Sequence, residues 1–173
     1  MRNKGFTLIE LVVVIVILGI LAVVAAPKFM GLQREARIAD LKGLEGSLKA
    51  ANEMVYAKAA MKGLEHSSFS EINTSENKLE INGRDVILDF WHIVPGKSNI
   101  KTIIDISEKD WNIQGGNNKT PRFSSYMTPK TASGFNGKNS EVVKKSKCYL
   151  SYGFPQTSPE WEIPEYHLVT SGC

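Results

Sequence analysis

Glu10 is the residue whose type and position most plainly ask for a chemical explanation. It follows Gly5-Phe6-Thr7-Leu8-Ile9 and precedes Leu11–Ala26, sixteen residues without a charge. A carboxylate in a membrane-length helix costs about 2.5–3.5 kcal/mol at the bilayer centre and less near an end. Such a group calls for a partner, and no basic side chain lies nearby after Gly5. A cut between Gly5 and Phe6 would create a new amine on Phe6, a cation at the depth of Glu10. That amine belongs either to the same chain or to a neighbouring one. A neighbour's amine would guide one helix onto the next.

The second candidate pair is Cys148 and Cys173, the only cysteines in the 173 residues. Outside the cytoplasm such a pair oxidises. Their disulfide would close a loop of 26 residues containing Pro155, Pro159 and Pro164. On the chain-entropy model it contributes about 3.5 kcal/mol.

Other reactive side chains group less well. His66, His92 and His167 are scattered without metal-ligand spacing. Asp105, Glu108, Asp110 and Asn112 do not follow the EF-hand pattern and read as a solvated acidic turn. Lys144, Lys145 and Lys147 form a basic cluster in a segment that reads as solvated loop. Asn73-Thr74-Ser75 matches a glycosylation acceptor, a weak pattern. No nucleophile–base pair or phosphate loop stands out, so neither enzyme activity, nor a cofactor, nor a metal site is expected.

The elements that hold these residues begin with the anchor. Phe6–Ala26 is 21 residues, roughly 31 Å of helix, enough to cross a bilayer core. Arg2 and Lys4 precede it and keep that flank cytoplasmic, which places the rest of the chain outside. A cleaved secretory signal ending at Val24-Ala25-Ala26 and a plain uncleaved signal anchor are the alternatives. The first sets Pro27 directly after the cut, and neither explains Glu10. Removal of Met1–Gly5 leaves 19 basic residues against 18 acidic, a net charge of +1. That balance gives no electrostatic basis for binding nucleic acid.

Beyond Pro27, Leu41, Leu44, Leu48, Ala51, Val55 and Ala59 recur at steps of three and four. Lys42, Glu45, Lys49, Asn52, Glu53 and Lys58 fill the other faces. Gly63 is a stop signal. One helix is therefore expected from Phe6 to about Lys62, with Gly19 and Pro27 as soft or kinked points. Asn82-Gly83 signals a tight hairpin, with Val86, Leu88 and Phe90 alternating toward the helix. Ser98 is placed to cap a short helix carrying Ile100, Ile103 and Ile104. Further strands are expected at Arg122–Met127, Lys147–Tyr152 and Glu165–Thr170, and residues 128–147 read as an exposed loop. The fold class is α+β, a long helix packed on an antiparallel sheet.

The order of basic leader, Gly5, Phe6, Glu10 and aliphatic span resembles the N-terminus of type IV pilins and secretion pseudopilins. The resemblance implies that a prepilin peptidase cuts between Gly5 and Phe6 and N-methylates Phe6. It implies that Glu10 pairs with the amine of an adjacent subunit, and that Gly19–Pro27 unwinds in the assembled fibre. The head would adopt the pilin fold, with Cys148 and Cys173 bounding a C-terminal region that contacts partners. The chain then divides into leader 1–5, assembly helix 6–27, amphipathic continuation 28–63 and head 64–173. The segment Phe6–Gly19, Ala25-Ala26-Pro27, Asn52–Ala60 and the terminal Ser171-Gly172-Cys173 resemble the mannose-sensitive haemagglutinin pilins. That family builds surface fibres that attach to surfaces, chitin and host glycans. The implied partners are further copies in a helical homopolymer, the inner membrane before assembly, the peptidase, the assembly machinery and a surface or glycan ligand. The implied location is the inner membrane with the head periplasmic, then an extracellular pilus of a Gram-negative bacterium. A major pseudopilin of a type II secretion system is the alternative. A signal-anchored periplasmic binding protein that does not polymerise is another, and it requires that Glu10→Ala leave function intact.

Overall fold

The computed structural model describes residues 6–63, 78–89, 91–115, 124–155 and 163–173. The chain divides into two compact units, Met1–Ala36 and Arg37–Cys173. Helix α1 (Leu8–Met61) begins in the first and ends in the second, with Gly19 and Pro27 inside it. In the first unit its large apolar side chains whose burial is described are exposed, among them Leu8 (80% exposed) and Leu32 (65%). By length and composition alone it can cross a membrane.

In the second unit the same helix becomes one-sided. Leu41, Leu44, Leu48, Ala51, Val55 and Ala59 are all buried, the stripe expected from their spacing. Each fully buried Leu or Val stabilises the fold by about 1.5–3 kcal/mol. Gly63 follows the helix with φ +70°, a left-handed conformation that closes a helix readily only for glycine.

Two antiparallel sheets share the core with that stripe. The first is ordered β1 (Lys78–Ile81), β2 (Arg84–Asp89), β3 (His92–Ile93). Asn82 and Gly83 join β1 to β2 with φ of +52° and +72°, as the hairpin signal required. Leu79 pairs with Val86, so both fall on the buried face. Leu88 is buried beside them, while Phe90 lies outside the described residues.

The second sheet is a meander of β4 (Trp111–Gly115), β5 (Ser124–Pro129), β6 (Tyr149–Gly153) and β7 (Glu165–Val169). Ile113, Met127, Leu150 and Leu168 stand side by side across it and pack into the core.

Three expectations are corrected. Helix α2 (Lys97–Ile104) starts one residue before Ser98. Gly96 is its cap residue and no side chain caps it, while the Ser98 carbonyl accepts from Thr102 Oγ1. Second, the segment 128–147 is not simply exposed loop. It contains helix α3 (Ser140–Lys145), capped by Asn139, whose Oδ1 accepts from Val142 N at 3.0 Å. Thr128, Ala132 and Val143 are buried there. A single buried valine in a six-residue helix leaves no periodicity to read. Third, Asn52 does not fill an outward face but is 3% exposed. Strands β3 and β4 were not foreseen. The first has two residues, and the second interleaves Asn112 and Gln114 with its apolar positions.

Candidate assembly site

Thr7 and Glu10 bind each other at the start of α1. Thr7 N donates to Glu10 Oε2 at 2.8 Å, and Thr7 Oγ1 donates to the same oxygen at 2.7 Å. Glu10 N in turn donates to Thr7 Oγ1 at 3.3 Å. This is a capping box, Thr-x-x-Glu, which satisfies amides that the first helical turn leaves unpaired. From the sequence, Glu10 is expected to pair with an amine, of its own chain or of a neighbour. The Thr7 partner was legible three residues upstream. Only Oε2 is engaged, and Oε1 has no partner among the described residues. Phe6, 87% exposed, precedes the helix, and Gly5 lies outside the described residues.

The cysteines meet in a Cys148–Cys173 disulfide. Cys148 is fully buried and Cys173 half-buried. Gly172 makes the approach possible, because a Cβ there would lie 2.0 Å from the Ser146 carbonyl oxygen. Its N–H donates to the Lys147 carbonyl at 2.8 Å. Arg37 reaches the same turn from α1. Its Nη1 donates to the Cys173 main-chain oxygen at 2.5 Å and its Nε to Thr131 Oγ1 at 3.3 Å.

Asn52 is the structural residue that sequence reasoning placed on the wrong side. Its Oδ1 accepts from Ile93 N at 3.0 Å. Its Nδ2 donates to Tyr152 Oη at 3.0 Å and Tyr166 Oη at 2.5 Å. Tyr152 Oη donates to the Ile93 carbonyl at 2.5 Å. One side chain thus ties α1 to β3 of the first sheet and to β6 and β7 of the second. Burial pushes the Tyr166 hydroxyl up to about 12 and that of Tyr152 well above its usual range, so both stay protonated.

Several of the remaining candidates have structural occupations. Glu108 accepts from Lys101 at 2.5 Å and Lys97 at 2.9 Å, which holds its carboxyl down at about 2. Asn112 Nδ2 donates to the carbonyls of Phe135 and Gly137 at 2.5 and 2.8 Å. Lys144 pairs with Glu141 and lies 4.7 Å from the centre of the Tyr126 ring. His92 stacks on Tyr56, and burial lowers its pKa. His167 meets Glu165 at the surface. His66 and Asn73 lie outside the described residues. No group of three or more His, Cys, Asp or Glu is placed to hold a metal among the described residues.

The family described as the prokaryotic N-terminal methylation motif matches residues 1–26. The fold class is α+β and pilin-like. The chain is 42% identical over 59 residues to the type IV narrow pilus major component PilA5 of Thermus thermophilus, covering 34% of this chain and 51% of that protein. It is 49% identical over 51 residues to the type II secretion system core protein G of Klebsiella pneumoniae, covering 27% and 36%. It is 40% identical over 73 residues to the type IV major pilin protein PilE1 of Neisseria gonorrhoeae, covering 42% and 40%. The chain thus spans about a third to a half of the length of these relatives. No solved structure matches it.

Proposed function

We propose that this chain is a structural subunit of a type IV pilus, polymerising through its N-terminal helix into a surface fibre used for attachment. The observation that carries the reading is the start of α1. Glu10 is fixed by Thr7 through one oxygen and keeps the other free, beside a junction inside a matched methylation motif. A free carboxylate oxygen in an apolar surround is a strong acceptor for an amine of a neighbouring copy. In this reading a prepilin peptidase cuts between Gly5 and Phe6 and methylates Phe6, and Glu10 of one subunit receives the Phe6 amine of another. The Gly19–Pro27 stretch unwinds as subunits pack, since Pro27 already lacks one helical donor. The precursor sits in the inner membrane of a Gram-negative bacterium with its head outside. The mannose-sensitive haemagglutinin type and a surface or glycan ligand belong to this proposal. The chain is not itself an enzyme; its leader is the substrate of one.

Shearing fibres from cells and determining the N-terminal residue by mass spectrometry tests the reading. Methyl-Phe6 in fibre protein is the expected result. An intact Met1 with no fibres would overturn it.

The identity with a secretion core protein favours a second reading, a pseudopilin whose short filament drives export. Deleting the gene separates the two. Loss of surface fibres supports the pilus, whereas retained secreted proteins inside the cell support the pseudopilus.

A further inference from the structure

We infer that Arg37 is a positioning residue for the Cys148–Cys173 disulfide, and that the two form a latch whose seating controls thiol–disulfide exchange at Cys173. The inference stands apart from whether the chain forms fibres. Its first support is asymmetry. Cys148 is fully buried and Cys173 half-buried, so Cys173 is the more accessible end of the bond for an attacking thiolate. The second is what holds Cys173 in place. Its N–H donates to the Thr170 carbonyl at 3.1 Å, its main-chain oxygen accepts from Arg37 Nη1, and Gly172 is pinned to Lys147. Of these, the Arg37 bond is the one that carries a charge and comes from a separate element. The third is the position of Arg37, the first residue of the unit that contains the head. The guanidinium fastens the C-terminal turn directly to α1, with Thr131 as a second acceptor that fixes its plane.

The reaction is ordinary exchange with an external dithiol. A reagent thiolate attacks Cys173 Sγ, forms a mixed disulfide and expels the Cys148 thiolate. The second reagent thiol, as thiolate, then attacks its partner sulfur, releases the Cys173 thiolate and leaves oxidised reagent. The first attack needs the turn to lift, because Gly172, next to Cys173, lies against Ser146 and Lys147. Arg37 opposes that lift.

The test uses the full chain in detergent micelles, with dithiothreitol as reagent and mass-tagging of released thiols. Arg37→Ala should accelerate reduction on the order of tenfold, the factor expected for losing one charge-assisted hydrogen bond from a local opening. Arg37→Lys, which keeps a charge and can bond one acceptor, should recover part of the protection. The discriminating readout is urea dependence. Local opening exposes little surface, so the Arg37→Ala rate should be nearly flat in low urea. A rate within twofold of wild type would overturn the inference. So would an acceleration whose urea slope equals that of global unfolding, since that marks a general stability effect.

Discussion

Replacing Asn52 by alanine should unsettle the junction of helix and sheets more than its size suggests. The Ile93 N–H, on a fully buried residue, loses the oxygen it donates to at 3.0 Å. An orphaned buried donor costs about 1–3 kcal/mol. Tyr152 keeps its bond to the Ile93 carbonyl, and half-buried Tyr166 can turn to water, so their losses are smaller. The void left beside a fully buried tyrosine adds about 1 kcal/mol. The sum is about 2–4 kcal/mol, or a fall in Tm of roughly 5–15 °C for a chain of this size. Asn52→Leu should fare little better, because it fills space without satisfying Ile93. Thermal and urea unfolding of the full chain in detergent measure both variants. A double-mutant cycle with Tyr152→Phe should give a coupling of about 0.5–3 kcal/mol. Asn52→Leu within about 0.5 kcal/mol of wild type, together with an additive cycle, would refute the claim that this amide organises the core.

Gly172→Ala should prevent the disulfide from seating, since the added carbon meets the Ser146 carbonyl, and free thiols should then be found by alkylation. Thr7→Val keeps the shape but removes the hydroxyl that donates to Glu10, so helix stability at the N-terminus should fall by about 1 kcal/mol and subunit assembly should fall with it, read as fibre yield. Glu108 has a lowered folded pKa, so its contribution is present above about 4.3 and is lost as pH falls toward about 2; Glu108→Gln should flatten stability over that window. His92 is also lowered, by burial, so the neutral ring is the folded form and stability should drop as pH falls below about 6.5; His92→Gln should remove that part of the acid limb.

What could be read in the sequence was whatever repeats or has a fixed local grammar. The stripe from Leu41 to Ala59 repeats with the helix, and every member is buried. Asn82-Gly83 carries its own backbone preference and makes its turn. The methylation motif is matched over residues 1–26. What stayed hidden depends on distant partners. Asn52 sits one position from Ala51 on the buried arc, and the Ile93 N–H and the phenols of Tyr152 and Tyr166, all distant in sequence, make a polar group tolerable there. The bond from Arg37 to Cys173 joins the middle of a helix to the far end of the chain, and no pattern of spacing announces it. Thr7 is the opposite case. Its signature, Thr7-x-x-Glu10, is local and complete in the sequence.

The cap at Thr7 also bears on how a protease would meet this chain. Proteases generally act on extended backbone, and a peptide bond wound into a helix is shielded from them. Because α1 starts at Leu8, Phe6 and Thr7 lie ahead of the first turn. A cut at Gly5–Phe6 would therefore fall two residues clear of the coil, with the cap acting as a stop against its advance. A substitution that let the helix grow backward past Thr7 would hide that bond from any peptidase acting there without touching either residue that flanks it.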